Sequence, residues 1–276
     1  MESLFDFAAV LLILDAPQGL EFGFDFNVWT TGPRFKGLKL IPKGLHLYYY
    51  STSSFTCGWF RHFKEREVVV CRWDAASENI VWIDDVEQEQ RIRANVKQFD
   101  PFLAAYPISA TTYTQKERNH HESWLRISNL ISDKALERFL PPSGHISAMT
   151  STSYHTVTTD TSITSDDWLA FTNTATIKSD AKGANLSNAM LDQSWLVEAL
   201  IKQSYDNDES LMLAELQLSF VVFLLGQVYD GFAQWKAIVQ LLCNAQGLLC
   251  SRPRFMAKFL GTQLEYIHIQ KVLILP

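Results

Sequence analysis

The first 85 residues alternate between short apolar runs and clusters of Gly, Pro, Asn and Asp. Apolar runs of four to eight residues with such boundaries are typical of β-strands. The predicted strands are residues 8–14, 37–41, 45–50, 56–63, 67–73 and 79–83. The tripeptide Pro42-Lys43-Gly44 separates two of them and predicts a hairpin connection. This part of the chain therefore indicates an all-β arrangement.

The apolar positions change to helical spacing after Asp84 and keep it as far as Phe99. Pro101 then interrupts the pattern, so we expect a helical segment that packs across the sheet. Residues 119–137 predict further helix. Within them, Ser132 is placed to cap a helix that begins near Lys134.

A Ser- and Thr-rich segment, residues 147–182, has few large apolar residues and predicts a largely mobile linker. It separates a β-rich N-terminal domain, residues 1–146, from a helical C-terminal domain, residues 183–276. Its hydroxyl groups also make it a candidate for phosphorylation, which adds negative charge.

The C-terminal domain carries apolar positions with a period near 3.6 residues between 211 and 244. Gly226 and Gly231 interrupt this stretch, which predicts two antiparallel helices. Residues 255–269 predict another helix, preceded by Pro253 at a favourable early position. The predicted fold class is α+β in two domains.

Composition narrows the function classes. Hydrophobic residues make up 47% of the 276 residues and charged residues 20%, which is typical of a soluble globular protein. The net charge of −6 argues against charge-driven nucleic-acid binding over the whole surface. A local basic strip keeps a direct RNA-binding module open as an alternative. It consists of Arg34, Lys36, Lys39 and Lys43.

The four cysteines have neither metal-ligand spacing nor the density of a disulfide framework, so we expect reduced thiols. They are Cys57, Cys71, Cys243 and Cys250. One of the first two could pair with His46 as thiol and base, which gives a small thiol hydrolase as a second alternative. A packed histidine is the favoured interpretation, because no local signature of such an enzyme is present.

Other candidate sites are weaker. Gly32 and Gly37 are spaced like the glycines of a phosphate-binding loop, but lysine and a hydroxyl residue do not follow directly. The adjacent His120 and His121 point in different directions on a helix or strand, which disfavours a metal site. We therefore predict no catalytic residue, no cofactor and no metal.

Two smaller features have structural interpretations. Asp25 and Asn27 are spaced like calcium ligands, but the rest of that loop is missing, so they are expected to cap turns. Trp235 and Lys236 could mark a protein-contact edge on a helix, but the favoured interpretation places Trp235 in the core and Lys236 towards water.

Longer motifs resemble the a1-cistron splicing factor family, whose members are assembly factors of the U5 snRNP. In the first domain, the residues that carry this resemblance are 10–23, Asp25, Asn27, Trp29, 32–37, Ile41, Pro42, Gly44, His46, Arg72, Trp73, 95–102, Tyr106, Pro107, Trp124, 130–132 and Leu136. In the second domain they are 215–217, Phe220, 223–226, Val228, Tyr229, Phe232, Trp235, Lys236 and 241–243.

The resemblance implies a non-catalytic protein with a β-sandwich-like N-terminal domain and a horseshoe-like helical C-terminal domain. It implies binding to the large scaffold protein of U5 snRNP, through its RNase H-like and MPN-type domains, in the cytoplasm and the nucleus. Binding there would delay the U5 helicase and RNA. No membrane is implied.

Twelve of the family-motif residues are candidate site residues, with no contact role assigned to any of them. They are Gly32, Pro33, Phe35, Lys36, Gly37, Pro42, Gly44, Glu215, Gln217, Tyr229, Trp235 and Lys236. Two departures from the family pattern stand out. Lys43 occupies a turn position where proline is expected, and the sequence stops at Pro276, where family members continue with further helices. Two interpretations of this end stay open: a truncated or mispredicted gene model, and a shortened relative of the family.

Overall fold

The structure is a computed structural model that describes residues 8–52, 55–107, 115–147, 168–174 and 191–274. Side chains are described for all of these except 115–119 and 270–274. The chain divides into two compact units, Met1–His121 and Glu122–Pro276.

The strands lie close to their predicted positions. They are β1 (Ala9–Leu14), β2 (Glu21–Phe24), β3 (Asn27–Thr30), β4 (Gly37–Ile41), β5 (Gly44–Ser51), β6 (Thr56–Phe63), β7 (Val68–Asp74), β8 (Asn79–Trp82), β9 (Leu103–Ala105) and β10 (His145–Ser147). All six predicted strands are confirmed to within one or two residues. The four short strands β2, β3, β9 and β10 are not among the predicted ones.

The first unit contains two sheets. One has the order β8-β7-β1-β4-β9, in which β1 pairs parallel with β7 and antiparallel with β4. In the other, β6, β5, β2 and β3 are neighbours, all antiparallel. Apolar residues of both sheets form one shared core, which confirms the predicted sandwich-like domain.

The predicted hairpin at Pro42-Lys43-Gly44 is wrong. β4 pairs with β1 and β9 in one sheet, whereas β5 pairs with β2 and β6 in the other. Both edges of each strand are therefore occupied, and the tripeptide carries the chain from one sheet to the other. Gly44, with φ +134°, permits that change of direction.

The outer face of the β1 sheet is covered by helix α1 (Val86–Ala94) and a 3-10 helix (Val96–Phe102). Ile92, Val96 and Phe99 pack there against Val10 and Leu12. The predicted helical segment across the sheet is confirmed. Asp85 caps α1 by accepting hydrogen bonds from the backbone of residues 87 and 88.

The remaining helices are α2 (Gln115–Ser128), α3 (Asp133–Phe139), α4 (Ser194–Ser204), α5 (Glu209–Leu224), α6 (Tyr229–Cys243), α7 (Leu248–Ser251) and α8 (Pro253–Ile274). The hydroxyl of Ser132 accepts from the backbone of Ala135, which confirms the predicted cap. Among the described helices, none combines the length and the apolar composition needed to span a membrane.

Helix α5 is the centre of the second unit. Residues 211–222 are all buried, including the polar Glu215, Gln217 and Ser219. Residues 211–222 are therefore buried on all sides of the helix, and not along the single predicted apolar stripe, because neighbouring elements cover this stretch. The predicted break into two helices is confirmed at residues 225–228, whereas Gly231 lies inside α6.

Most of the predicted linker, residues 148–167 and 175–182, lies outside the described residues, as does the helical start predicted at 183–190. The described part, residues 168–174, is held by hydrogen bonds. The backbone N–H of Ala170 donates to the carbonyl of Phe139, and that of Thr172 to the carboxylate of Glu215. These seven residues are thus fixed to the helical unit.

Substitution by alanine at two helical glycines is expected to change the free energy of unfolding in opposite directions. A Cβ at Gly261 in α8 would have nothing within 4 Å, whereas one at Gly231 in α6 would lie 2.6 Å from the carbonyl oxygen of Ser219. Gly261→Ala is expected to raise the free energy of unfolding by about 1 kcal/mol through helix propensity. Gly231→Ala is expected to lower it by about 2 kcal/mol, because α5 and α6 must separate. Urea denaturation measures both, and stabilisation by Gly231→Ala would contradict the close approach.

Candidate functional site

The motif residues between 32 and 37 fix the start of β4. Phe35 packs on Phe22 with ring centroids 5.5 Å apart. The carbonyl of Lys36 accepts from the backbone of Ile13, and the N–H of Lys36 donates to the carbonyl of Phe102. Pro33 is exposed, while Pro42 and Gly44 are half-buried at the crossing between the sheets. This segment positions strands in the first unit.

The basic strip is largely neutralised by acidic neighbours. The ammonium of Lys39 lies 2.6 Å from Asp100, and that of Lys43 lies 2.7 Å from Glu65. Lys36 lies 3.7 Å from Asp15. Arg34 stacks over the ring of Phe102 at 6.0 Å. The strip therefore does not present a run of uncompensated positive charges to a phosphate backbone.

His46 lies in a buried polar network. Its Nδ1 is 2.7 Å from Oδ2 of Asp25, and its Nε2 is 3.0 Å from the carbonyl oxygen of Pro42. Both ring nitrogens thus lie within hydrogen-bonding distance of oxygen atoms inside the first unit. The predicted packed histidine is confirmed.

Asp25 is the hub of this network and is completely buried. It accepts a hydrogen bond from the backbone of Leu47 at 3.1 Å and from the hydroxyl of Tyr106 at 2.9 Å. The same hydroxyl lies 2.9 Å from Nδ1 of His121. Asp25 does occupy the predicted turn, with φ +53°, but its carboxylate joins β2, β5 and the chain after β9.

The structure disfavours the pairing of His46 with a thiol. Cys71 donates to the carbonyl oxygen of Leu12, and both ring nitrogens of His46 have other partners. Burial raises the pKa of the Cys57 thiol to about 11 and that of Cys71 to about 12. Thiols of this kind are poor nucleophiles near neutral pH.

His120 and His121 are used within the first unit. Nδ1 of His120 lies 3.1 Å from the side-chain oxygen of Asn27, and His121 contacts Tyr106. Across the described residues, no group of three or more His, Cys, Asp or Glu side chains is placed to hold a metal ion.

Glu215 and Gln217 hold other segments on α5. Glu215 accepts from the hydroxyl of Tyr205 at 2.6 Å and from the side-chain amide of Gln234 at 2.9 Å, besides the backbone of Thr172. Gln217 accepts from the backbone of Leu130 at 2.8 Å and donates to Asn129 at 2.9 Å. Both motif residues are buried and therefore structural.

Burial raises the pKa of the Glu215 carboxyl above its ordinary value of 4.5, although its hydrogen bonds oppose the shift. The folded chain therefore holds this proton more tightly than the unfolded chain. The resulting stabilisation is complete below pH 4.5 and is lost as pH rises through the raised pKa. The stability of the wild type relative to Glu215→Gln, which stays neutral, should fall with rising pH by at most about 1.4 kcal/mol per pH unit. Urea denaturation over a pH series measures this, and a constant difference would contradict it.

Four residues of α5 and α6 form a surface, here named the aromatic patch: the exposed Phe223, Tyr229 and Lys236, and the half-buried Phe232. The side chains of Tyr229 and Phe223 are 59% and 36% exposed. Phe232 lies 5.0 Å from Phe223 and 6.0 Å from Tyr229 between ring centroids. Lys236 is exposed one turn further along α6.

The aromatic patch has a rigid base. Trp235, which is half-buried, lies 5.9 Å from Phe232 and 5.6 Å from the buried Phe220 between ring centroids. Exposed aromatic side chains on a fixed base are typical of protein-interaction surfaces, since they bury large areas at low entropic cost. Within the described residues, this is the best candidate for a functional site.

Sequence reasoning identified Tyr229 only through the family resemblance. It considered a protein-contact edge at Trp235 and Lys236, but favoured Trp235 in the core and Lys236 towards water. It missed the network around Asp25, whose partners His46 and Tyr106 are 21 and 81 residues away in the chain. The signal available in the sequence was that His46 and Tyr106 are each flanked by apolar residues, which indicates a buried position.

Comparison with known proteins gives two family matches. Residues 8–141 match the AAR2 N-terminal domain, and residues 168–272 match the AAR2 C-terminal repeat region. Together these matches cover most of the chain.

Curated relatives agree with both matches. The mouse Protein AAR2 homolog is 28% identical over 287 residues, which cover 90% of this chain and 72% of the relative. The human protein of the same name is 27% identical, with 89% and 72% covered. The Caenorhabditis elegans homolog is 28% identical, with 90% and 76% covered. The chain therefore belongs to the AAR2 family, the a1-cistron splicing factor family, and is a splicing-related factor of that family.

Proposed function

We propose that this chain is a non-catalytic assembly factor of the U5 snRNP that binds the large U5 scaffold protein. Its binding sites there are the RNase H-like and MPN-type domains, and it acts in the cytoplasm and the nucleus. Family membership supports this role, which the resemblance implies for the whole family. While the factor is bound, it delays the helicase and RNA by mass action on a shared surface.

The observation that carries the proposal is the aromatic patch. Tyr and Phe are enriched at the centres of protein interfaces, where a few such side chains provide most of the binding energy. Tyr229 lies in the first turn of α6, and Lys236 adds a positive charge two turns further along the helix. A folded protein domain with a complementary apolar, acidic surface fits this arrangement.

The proposal that the chain is not catalytic is supported by the hydrogen bonds that its buried polar side chains form within the fold. His46 and Asp25 bind each other and the backbone in the interior of the first unit. Glu215 is committed to three donors in the second. These groups are therefore engaged in holding the fold.

The test is a pull-down with the full chain and, separately, the recombinant RNase H-like and MPN-type domains of the U5 scaffold protein. We expect the full chain to retain the RNase H-like domain in stoichiometric amounts and to lack hydrolytic activity on ester reporters. Failure of well-folded chain to retain either domain would reject the proposal. Tight RNA binding that weakens steeply with salt would favour the RNA-binding alternative instead.

A further inference from the structure

Helix α8 carries an exposed apolar seam, formed by Ala257, Leu260, Leu264 and Ile267. Successive members are three, four and three residues apart, which is the spacing of a coiled-coil seam and places them along one side of the helix. Leu260, Leu264 and Ile267 are 50%, 67% and 55% exposed, and Ala257 is exposed as well. Contiguous exposed apolar surface of this kind is typical of an association site.

The opposite side of α8 fixes the seam in place. Phe255 and Phe259 are buried there. The ring of Tyr266 stacks on that of Phe220 in α5, with centroids 3.7 Å apart. Because the helix is already held by these contacts, a partner that covers the seam does not have to order it, which lowers the entropic cost of binding.

The spacing of the seam is the same in both directions along the helix. When two α8 helices pair antiparallel, Leu260 of each copy therefore lies level with Leu264 of the other, and Ala257 lies level with Ile267. Every member of the seam then meets a member of the other copy. A two-fold axis through the midpoint of the seam relates the two helices, so both copies make the same contacts.

Two uncharged residues flank the midpoint of the seam. On one flank lies Gly261, where nothing is within 4 Å of the position of a Cβ, so another backbone can approach closely. On the other flank lies Gln263, which is half-buried and whose Nε2 has no hydrogen-bond partner among the described residues. In an antiparallel pair, the same flanks meet, so each of these residues faces its own counterpart.

The chemistry at the midpoint selects a second copy of this chain as the occupant. A side-chain amide has both donors and an acceptor, so two Gln263 side chains can exchange two hydrogen bonds across the axis. Like charges are not brought together there. Lys258 and Glu265 lie more than about 100° further round the helix, where they line a groove, and Arg254 lies in the first turn.

We propose that two copies of this chain associate by antiparallel pairing of their α8 seams, with Gly261 and Gln263 of each copy beside the two-fold axis. The contact is small and belongs to the weak class of interfaces, for which we expect a dissociation constant of about 10–100 µM. Its residues are distinct from those of the aromatic patch. The inference does not depend on the partner proposed above.

The first experiment is sedimentation equilibrium of the full chain over a concentration series. Leu264→Ser is expected to raise the dissociation constant at least about tenfold, because both copies lose the contact. Leu125→Ser is the matched control, since Leu125 is an exposed leucine of α2. If Leu264→Ser does not fold, Ile267→Ser makes the same test. A wild type that stays monomeric up to about 1 mM, or equal effects of the seam and control variants, would overturn the proposal.

The second experiment tests the two-fold arrangement. Gln263→Glu and Gln263→Lys are each expected to raise the dissociation constant at least about tenfold, because like charges then face each other across the axis. An equimolar mixture of the two variants should associate within about threefold of the wild type, since Glu now faces Lys. Circular dichroism checks that both variants are folded. A mixture that associates no better than either variant alone would overturn the proposal.

A membrane surface is the other occupant that an exposed apolar helix face can bind. It is tested by co-sedimentation with phosphatidylcholine vesicles, with and without phosphatidylserine. We expect the wild type to stay in the supernatant with both. Co-sedimentation of the wild type that is lost in Leu264→Ser would assign the seam to a membrane and contradict the proposal.

Discussion

Asp25→Ala is expected to lower the free energy of unfolding by about 3–5 kcal/mol. The carboxylate is completely buried and accepts from His46, from the hydroxyl of Tyr106 and from the backbone of Leu47. Alanine leaves Nδ1 of His46 and the N–H of Leu47 buried without this acceptor, and it removes one of the two partners of the Tyr106 hydroxyl. A buried polar group that loses its partner is not compensated by water. Because the donors belong to different parts of the first unit, both sides of the sandwich loosen together.

Denaturant unfolding followed by far-ultraviolet circular dichroism measures this effect. Asp15→Ala is a matched control, because Asp15 also has a positive φ, +60°, but is exposed. Asp15→Ala should lower the free energy of unfolding by about 1 kcal/mol, since Asp15 forms surface ion pairs with Lys36 and Arg72. Asp25→Asn keeps the shape of the side chain, so its free energy of unfolding should lie between those of Asp25→Ala and Asp15→Ala. Equal stabilities of the two alanine variants would contradict a structural role for the network.

Gly37→Ala is expected to lower the free energy of unfolding by about 4 kcal/mol or more, or to prevent folding. A Cβ at this position would lie 1.9 Å from the carbonyl oxygen of Leu11, a backbone atom of the central strand β1. Gly37 also has φ +132°, a conformation that residues with a side chain rarely adopt. Steric overlap and backbone strain therefore act at the same residue.

Gly32→Ala provides the control within the same motif, because a Cβ there would have nothing within 4 Å. We expect its unfolding midpoint in urea to remain close to that of the wild type. If Gly37→Ala folded with the stability of Gly32→Ala, β4 would not approach β1 as closely as described.

Local patterns predicted the elements because the forces that form them are local. The continuous apolar run of residues 8–14 became a central strand buried on both faces, and Ser132 became a helix cap. The assignment of strands to sheets was not predictable in the same way. Pro42-Lys43-Gly44 has the composition of a hairpin, and only the pairing of β4 with β1 and β9 makes it a crossing between sheets.

The candidate site was less predictable than the fold. Whether Tyr229 is exposed depends on which surfaces the neighbouring helices cover. In α5, for example, the periodic apolar pattern predicted one buried stripe, but residues 211–222 are buried on all sides. The family-motif residues divide into two groups in the structure. Gly37, Glu215 and Gln217 hold the fold, whereas Tyr229 and Lys236 are available to a partner.

The most direct test of the account is the affinity of the full chain for the RNase H-like domain of the U5 scaffold protein. It compares the wild type, Tyr229→Ser combined with Lys236→Glu, and a control, Leu249→Ser combined with Lys202→Glu, at exposed positions outside the aromatic patch. The account predicts that the patch variant binds at least about tenfold more weakly, with unchanged thermal unfolding, while the control binds like the wild type. Equal affinities of the two variants, or no binding by the wild type, would contradict it.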